Sequence, residues 1–153
     1  MSESKKNLAF DLSLHFIVTV ILCGLVYWKF GDIFYAGLCL AGGIFIDLDH
    51  LFDYFKHYKL HISFKKFIRT EFLQSGKVYL PFHSWEIIFI LFLLSLYFKS
   101  DGLGVFSLAM GVHLLIDHFQ SPNRLFYFLT YRIIKKFDLE QLRAEAVGHK
   151  LYK

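Results

Sequence analysis

Residues 33–55 read IFYAGLCLAGGIFIDLDHLFDYF, and this stretch decides the fold class. From Ile33 to Ile46 it is apolar on every side, and with its continuation to Phe55 it is long enough to cross a bilayer, which takes about 20 residues for a 30 Å hydrocarbon core. From Asp47 onward the same run turns polar, with Asp47, Asp49, Asp53 and the imidazole of His50. Three other apolar runs accompany it, so spans are expected at about residues 12–30, 33–55, 82–98 and 103–119. Gly31 with Asp32, and Ser100 to Gly102, break the chain tightly between the first and second and between the third and fourth spans. The expected architecture is all-α: an integral membrane protein with four transmembrane helices in two hairpins, forming a single membrane domain over residues 1–153.

Composition supports that reading. Of the 153 residues 56% are hydrophobic and 20% aromatic, with 19 Phe, whereas soluble domains are about 45–50% apolar even with Gly counted. A small soluble domain has too much surface to hide so many apolar side chains, which excludes a disordered chain and argues against a soluble globule. Cys23 and Cys39 offer neither a disulfide framework nor a finger-like metal pair and read as small apolar residues. Lys5 and Lys6 before the first run resemble the start of a secretory leader, but no small-residue cleavage pattern follows, so the first span is read as retained.

Placing the 17 basic residues sets an orientation. Two lie in the N-terminal tail, six between Lys56 and Lys77 and seven from Arg124 onward, leaving only Lys29 and Lys99 at the other ends of the spans. Four spans put the N-terminal tail, the central loop and the C-terminal tail on one face, which the positive-inside rule makes cytoplasmic. The expected location is the cell inner (cytoplasmic) membrane, multi-pass, with both termini cytoplasmic. Topology thus accounts for the basic residues, and no nucleic-acid partner is expected. Past Pro122, Leu125, Phe126, Leu129, Ile133, Ile134 and Phe137 recur at helical spacing while Arg132, Lys135 and Lys136 gather elsewhere on the wheel. A C-terminal interfacial amphipathic helix is expected at about 123–137.

Five of the 13 acids, Asp47, Asp49, Asp53, Glu86 and Asp117, sit inside or at the ends of apolar runs. An ionised Asp at a helix centre costs roughly 2.5–3.5 kcal/mol on insertion scales, so such residues need partners. His15 opens the first span, His50 lies late in the second, His83 opens the third and His113 lies late in the fourth. The end of one span and the start of the next share a membrane face, so these groups are expected at one depth near the cytoplasmic boundary. His83 with Glu86 are i, i+3 neighbours and His113 with Asp117 are i, i+4 neighbours, and Asp49, Asp53 and His50 share an arc of roughly 100°. A divalent cation is the simplest compensating charge, and imidazole with carboxylate suits Zn, Mn or Fe. The donors suffice for one ion or for two ions about 3.5–4 Å apart. The candidate ligands are His15, Asp47, Asp49, His50, Asp53, His83, Glu86, His113 and Asp117. His57 and His61 read as solvated, His149 as uninvolved, and His118 points some 100° away from Asp117. Acids at a helix C-terminus oppose the macrodipole, which argues against a purely structural use of Asp49 and Asp53. Ser84 reads as the cap of the third span.

With His15, Gly42-Gly43 leading into Asp47-Leu48-Asp49-His50, then His83-Ser84 and His113-Leu-Leu-Ile-Asp117, the sequence resembles the membrane-bound metal-dependent hydrolase family of small bacterial inner-membrane proteins over roughly residues 10–120. It carries Tyr79-Leu80-Pro81-Phe82 where the family pattern has Arg-Gly after a histidine, and it adds Trp85-Glu86. The resemblance implies a metal site and a hydrolytic reaction. A metal-activated water would need a carboxylate to accept its proton, with Glu86 (as ligand or base) and Asp49 as candidate catalytic residues. Headgroup depth and a basic tail point to membrane lipids as partners and to a lipid or lipid-linked phosphoester as substrate. The alternative is a non-catalytic divalent-metal-binding membrane protein, a carrier or sensor. A carrier would string ionisable groups through the bilayer, whereas these cluster at one side. A membrane protein whose buried charges specify assembly with a partner is the third class.

Overall fold

A computed structural model describes residues 3–58, 76–121 and 123–142, with side chains for 10–56, 76–121 and 123–142. These residues are mostly helical: α1 (Glu3–Phe30), α2 (Ile33–Phe45), α3 (Leu48–Tyr58), α4 (Trp85–Tyr97), α5 (Asp101–Gln120), a 3-10 turn (Arg124–Tyr127) and α6 (Leu129–Ile134). Among the described residues no strand forms, and Lys77 and Asp138 make an isolated antiparallel bridge. Three stretches are long and apolar enough to cross a membrane: Phe10–Phe30, Ile33–Lys56 and Asp101–Gln120. The run 82–98, expected as the third span, is helical only over the 13 residues of α4, about 20 Å at 1.5 Å per residue and short of a 30 Å core. The cause is local. The backbone N–H of His83 donates to the Asp49 carboxylate at 3.0 Å, so the helix starts only after Ser84.

The chain divides into two compact units. The first comprises Met1–Phe45 and Ile88–Ile116. Gly31, at φ +66°, turns the chain out of α1, and the Asp32 carboxylate accepts the Phe34 N–H at 2.8 Å to start α2. Val26, Cys39, Val105 and Ala109 form the buried centre of this unit, with Leu22, Leu38 and Tyr35 packed against it. Both cysteines are free and Cys39 is fully buried in this cluster, as small apolar residues would be. A Cβ on Gly42 would lie 2.5 Å from the Phe106 carbonyl oxygen and one on Gly43 3.0 Å from the Thr19 methyl, so glycine lets α2 approach α5 and α1 this closely. Further along, Gly104 faces Ser95 and Gly111 faces Ile88. Only 11% of the apolar window of α1 is buried, and Phe10, Phe16, Ile17, Leu25 and Trp28 are each more than half exposed. That much outward apolar surface requires an apolar surrounding.

The second unit comprises Ile46–Ile87 and Asp117–Lys153. The apolar run 33–55 changes character at its border: Ile46 and Asp47 form a turn, with the His50 N–H bonded to the Asp47 carbonyl at 3.1 Å, before α3 begins. Val78, Leu80 and Leu139 make a small core, with Phe126 against it. The bonds Val78 N–H to Phe137 O (3.0 Å) and Leu139 N–H to Gly76 O (2.9 Å) tie residues 76–80 to the C-terminal segment. The amphipathic helix expected over 123–137 does not form as one continuous helix. Asn123 caps a 3-10 turn through its side chain, the chain is extended at Phe128, and α6 has six residues. Arg132, assigned by the wheel to the polar face, is fully buried. Helical spacing reports the apolar face but not whether a charge on the other face finds distant partners, and Arg132 does.

Candidate metal centre

The second unit gathers Asp47, Asp49, His50, Asp53, His83, Glu86 and Asp117 with Arg132. Asp49 is in the first turn of α3 and 1% exposed. Its two oxygens lie 2.9 and 3.0 Å from His83 Nδ1, and one also accepts the His83 backbone N–H at 3.0 Å. A carboxylate can only accept, so Nδ1 donates to Asp49, and Nε2 is the nitrogen left to bind a cation once any proton on it is displaced. Nε2 lies 3.4 Å from an Asp117 oxygen and 3.7 Å from an Asp47 oxygen, and the same Asp47 oxygen is 3.8 Å from His50 Nε2. These separations exceed the usual 2.7–3.2 Å of a hydrogen bond. They are close to the roughly 3.3–3.6 Å between ligands bonded at 2.0–2.2 Å to one tetrahedral ion. Donor atoms of Asp47, His50 and His83 all fall within 4.8 Å of one another. Imidazole held by a carboxylate on one nitrogen and offered to a cation on the other is the usual arrangement of a metal-binding histidine. Asp47, His50, His83 and Asp117 could therefore hold a divalent ion, with Asp49 orienting His83.

Other charged groups shape the segment that carries His83. Asp53, 5% exposed, accepts the Tyr79 N–H at 3.0 and 3.3 Å. Arg132 donates from Nη1 to the carbonyls of Tyr79 and Leu80, both at 2.6 Å, and from Nη2 to that of His83 at 2.9 Å, while its buried Nε has no hydrogen-bond partner among the described residues. Burial pulls its guanidinium down to about 10, opposed by the Asp49, Glu86 and Asp53 carboxylates, so it stays charged at neutral pH. Arg132 was not a candidate from sequence. The signal was a single cation inside Leu129–Ile134, LTYRII, read there as a surface charge.

The remaining candidates are placed as follows. Glu86 accepts from Leu129 N–H (2.8 Å), Thr130 N–H (2.9 Å) and the Thr130 hydroxyl (2.8 Å), which engages both oxygens at the start of α6. His118 Nδ1 accepts from the Trp85 indole at 3.3 Å, and the Ser84 hydroxyl donates back to the Pro81 carbonyl at 2.8 Å. His15 and His113 belong to the first unit, where their ring centroids are 4.2 Å apart. His15 Nδ1 is 3.0 Å from the Asp11 carbonyl and His113 Nδ1 2.9 Å from that of Gly43. The His57 side chain, His61 and His149 lie outside the described residues.

No family model, curated protein or solved structure matches this chain.

Proposed function

We propose that the chain is a membrane-embedded metal-dependent hydrolase whose ion is held by Asp47, His50, His83 and Asp117 near the cytoplasmic face, acting on a lipid or lipid-linked phosphoester. The observation that carries this reading is His83: its Nδ1 donates to a buried carboxylate and its Nε2 faces two further carboxylates. Zn, Mn or Fe suits the mixed nitrogen and oxygen donors. A bound ion of this kind supplies a Lewis acid and a water whose pKa falls from 15.7 toward about 7. Asp49 keeps His83 in one tautomer and orientation. Asp53 and Arg132 hold the backbone of Tyr79 to His83, so the imidazole needs no rearrangement on binding. Asp47, with 49% of its side chain exposed, would serve in this reading both as a ligand and as the carboxylate that accepts a proton from the attacking water. Glu86 acts in this reading by anchoring α6.

The membrane topology proposed with it has four spans in two hairpins and both termini in the cytoplasm. Contacts of Gly104 with Ser95 and Gly111 with Ile88 support pairing of α4 with α5. The short α4 fits because irregular backbone is tolerated at membrane depth where protein buries it, and residues 81–84 are held by Asp49, Arg132 and their own turn.

Elemental analysis of protein purified in detergent, followed by a turnover screen of lipid phosphates, tests the proposal. One ion per chain is expected, lost in His83→Ala; a ratio of two would mean that His15 and His113 hold a second. Metal without turnover of any lipid phosphate would favour the carrier or sensor reading, and protein free of metal after reconstitution with Zn, Mn and Fe would overturn both.

A further inference from the structure

The first unit contains a cavity of about 540 Å³ between the last turns of α1, the end of α4 and the first turns of α5. Its buried part is Val26, Ser95 and Val105, each under 7% exposed. The Ser95 hydroxyl is occupied by the Phe92 carbonyl at 2.7 Å, so it presents no free donor to the space. Leu22, Leu25, Phe92 and Leu108 continue the lining. From Leu22 to Lys29 on α1, and from Asp101 to Leu108 on α5, the apolar wall runs about 10 Å, the rise of seven helical residues. The volume falls in the range of about 300–1,000 Å³ typical of small-molecule sites.

Charge at one end sets what fits. Lys29 and Lys99 both line the cavity, and they are the two basic residues that the chain places away from its N-terminal tail, central loop and C-terminal tail. Each stands where an apolar helix ends: Lys29 in the last turn of α1, and Lys99 just after α4 with φ +52°, a left-handed position that usually goes to Gly or Asn. Asp101 lines the same end, so two cations and one anion leave one positive charge. Trp28, the chain neighbour of Lys29, and Tyr97, close to Lys99 in the chain, are 85% and 79% exposed and are of the kind enriched where helices meet headgroups. We infer that this cavity is a binding site for one phospholipid with a single net negative charge and an uncharged head group, such as phosphatidylglycerol. The phosphodiester sits between Lys29 and Lys99, and an acyl chain runs along Leu22, Leu25, Phe92 and Leu108. The excess of one positive charge favours this lipid over a zwitterionic one. The site is separate from the metal ligands and does not depend on the hydrolase reading.

Native mass spectrometry of the full chain, released from detergent after titration with phosphatidylglycerol or phosphatidylethanolamine, reads the site directly. Wild type is expected to retain one phosphatidylglycerol and to prefer it over phosphatidylethanolamine. K29Q/K99Q weakens that binding about thirtyfold, taking roughly a five- to sixfold loss for each headgroup lysine. K29R/K99R retains it, and Arg124→Gln, in the second unit, leaves it unchanged. Circular dichroism melting confirms that each variant is folded, as expected for exposed lysines. Equal retention of both lipids, unchanged binding in folded K29Q/K99Q, or a dimer in place of the lipid adduct would each overturn the inference. Metal content measured on the same samples stays at the wild-type ratio, which keeps failure of this site distinct from failure of the metal centre.

Discussion

Replacing Asp49 with Asn keeps the size of a side chain that is 1% exposed and changes only what it offers His83. Asp49 accepts from both the ring Nδ1 and the backbone N–H of His83, at 2.9 to 3.0 Å. The Asn amide has one accepting oxygen for these two donors. If the oxygen stays with the backbone N–H, the amide nitrogen faces Nδ1 and drives the ring proton to Nε2, the nitrogen that looks at Asp47 and Asp117. A proton there blocks coordination. Loss of such an orienting carboxylate typically lowers metal affinity tenfold to a hundredfold, about 1.4 to 2.7 kcal/mol. Stability should fall by about 1–2 kcal/mol, since one charge-assisted bond becomes neutral while the backbone contact survives. Competition of zinc between the purified protein and a chromophoric chelator measures the first, and melting of metal-free protein in detergent the second. A D49N protein that binds zinc within twofold of wild type would refute the assignment of Asp49 as the group that aims His83.

Arg132→Met removes the donor to three backbone carbonyls and should cost more than about 3 kcal/mol, read as a drop in melting temperature, with Arg132→Lys intermediate. Gly42→Ala, whose Cβ would meet the Phe106 carbonyl at 2.5 Å, should destabilise by about 1–3 kcal/mol, whereas Gly24→Ala, with nothing within 4 Å, should stabilise by about 0.5–1 kcal/mol. Denaturation in mixed micelles would show whether the two alanines act in opposite directions. A single cysteine at Asp32 and one at Arg124, each in a background without Cys23 and Cys39, should react with an impermeant thiol reagent from opposite sides of sealed vesicles; labelling from the same side would remove the four-span topology.

Apolar runs gave three membrane-length stretches directly, because a continuous hydrophobic run needs no partner to be recognised. They overstated α4, where Pro81, Ser84 and the bond from His83 N–H to Asp49 delay the helix. Acid and imidazole spacing pointed to nine candidate ligands, of which Asp47, His50, His83 and Asp117 meet in the second unit. The division of labour among acids was not legible. Whether a carboxylate faces a cation, as Asp47 can, or spends its oxygens on backbone N–H groups, as Asp53 and Glu86 do, depends on segments 26 and 43 to 44 residues away. Arg132 was missed for the same reason, since its acceptors lie 49 to 53 residues upstream.

The Arg132 guanidinium grips carbonyl oxygens rather than side chains. A carbonyl is the same group whatever residue bears it, so this clasp reads the path of the chain at residues 79, 80 and 83 and is blind to the identity of what hangs from it. Tyr79 and Leu80 can therefore drift to other residues of similar bulk while the histidine beyond them keeps its aim. Substitution at position 132 has no such freedom, and a library randomised across 79, 80 and 132 should survive selection with its diversity concentrated in the first two.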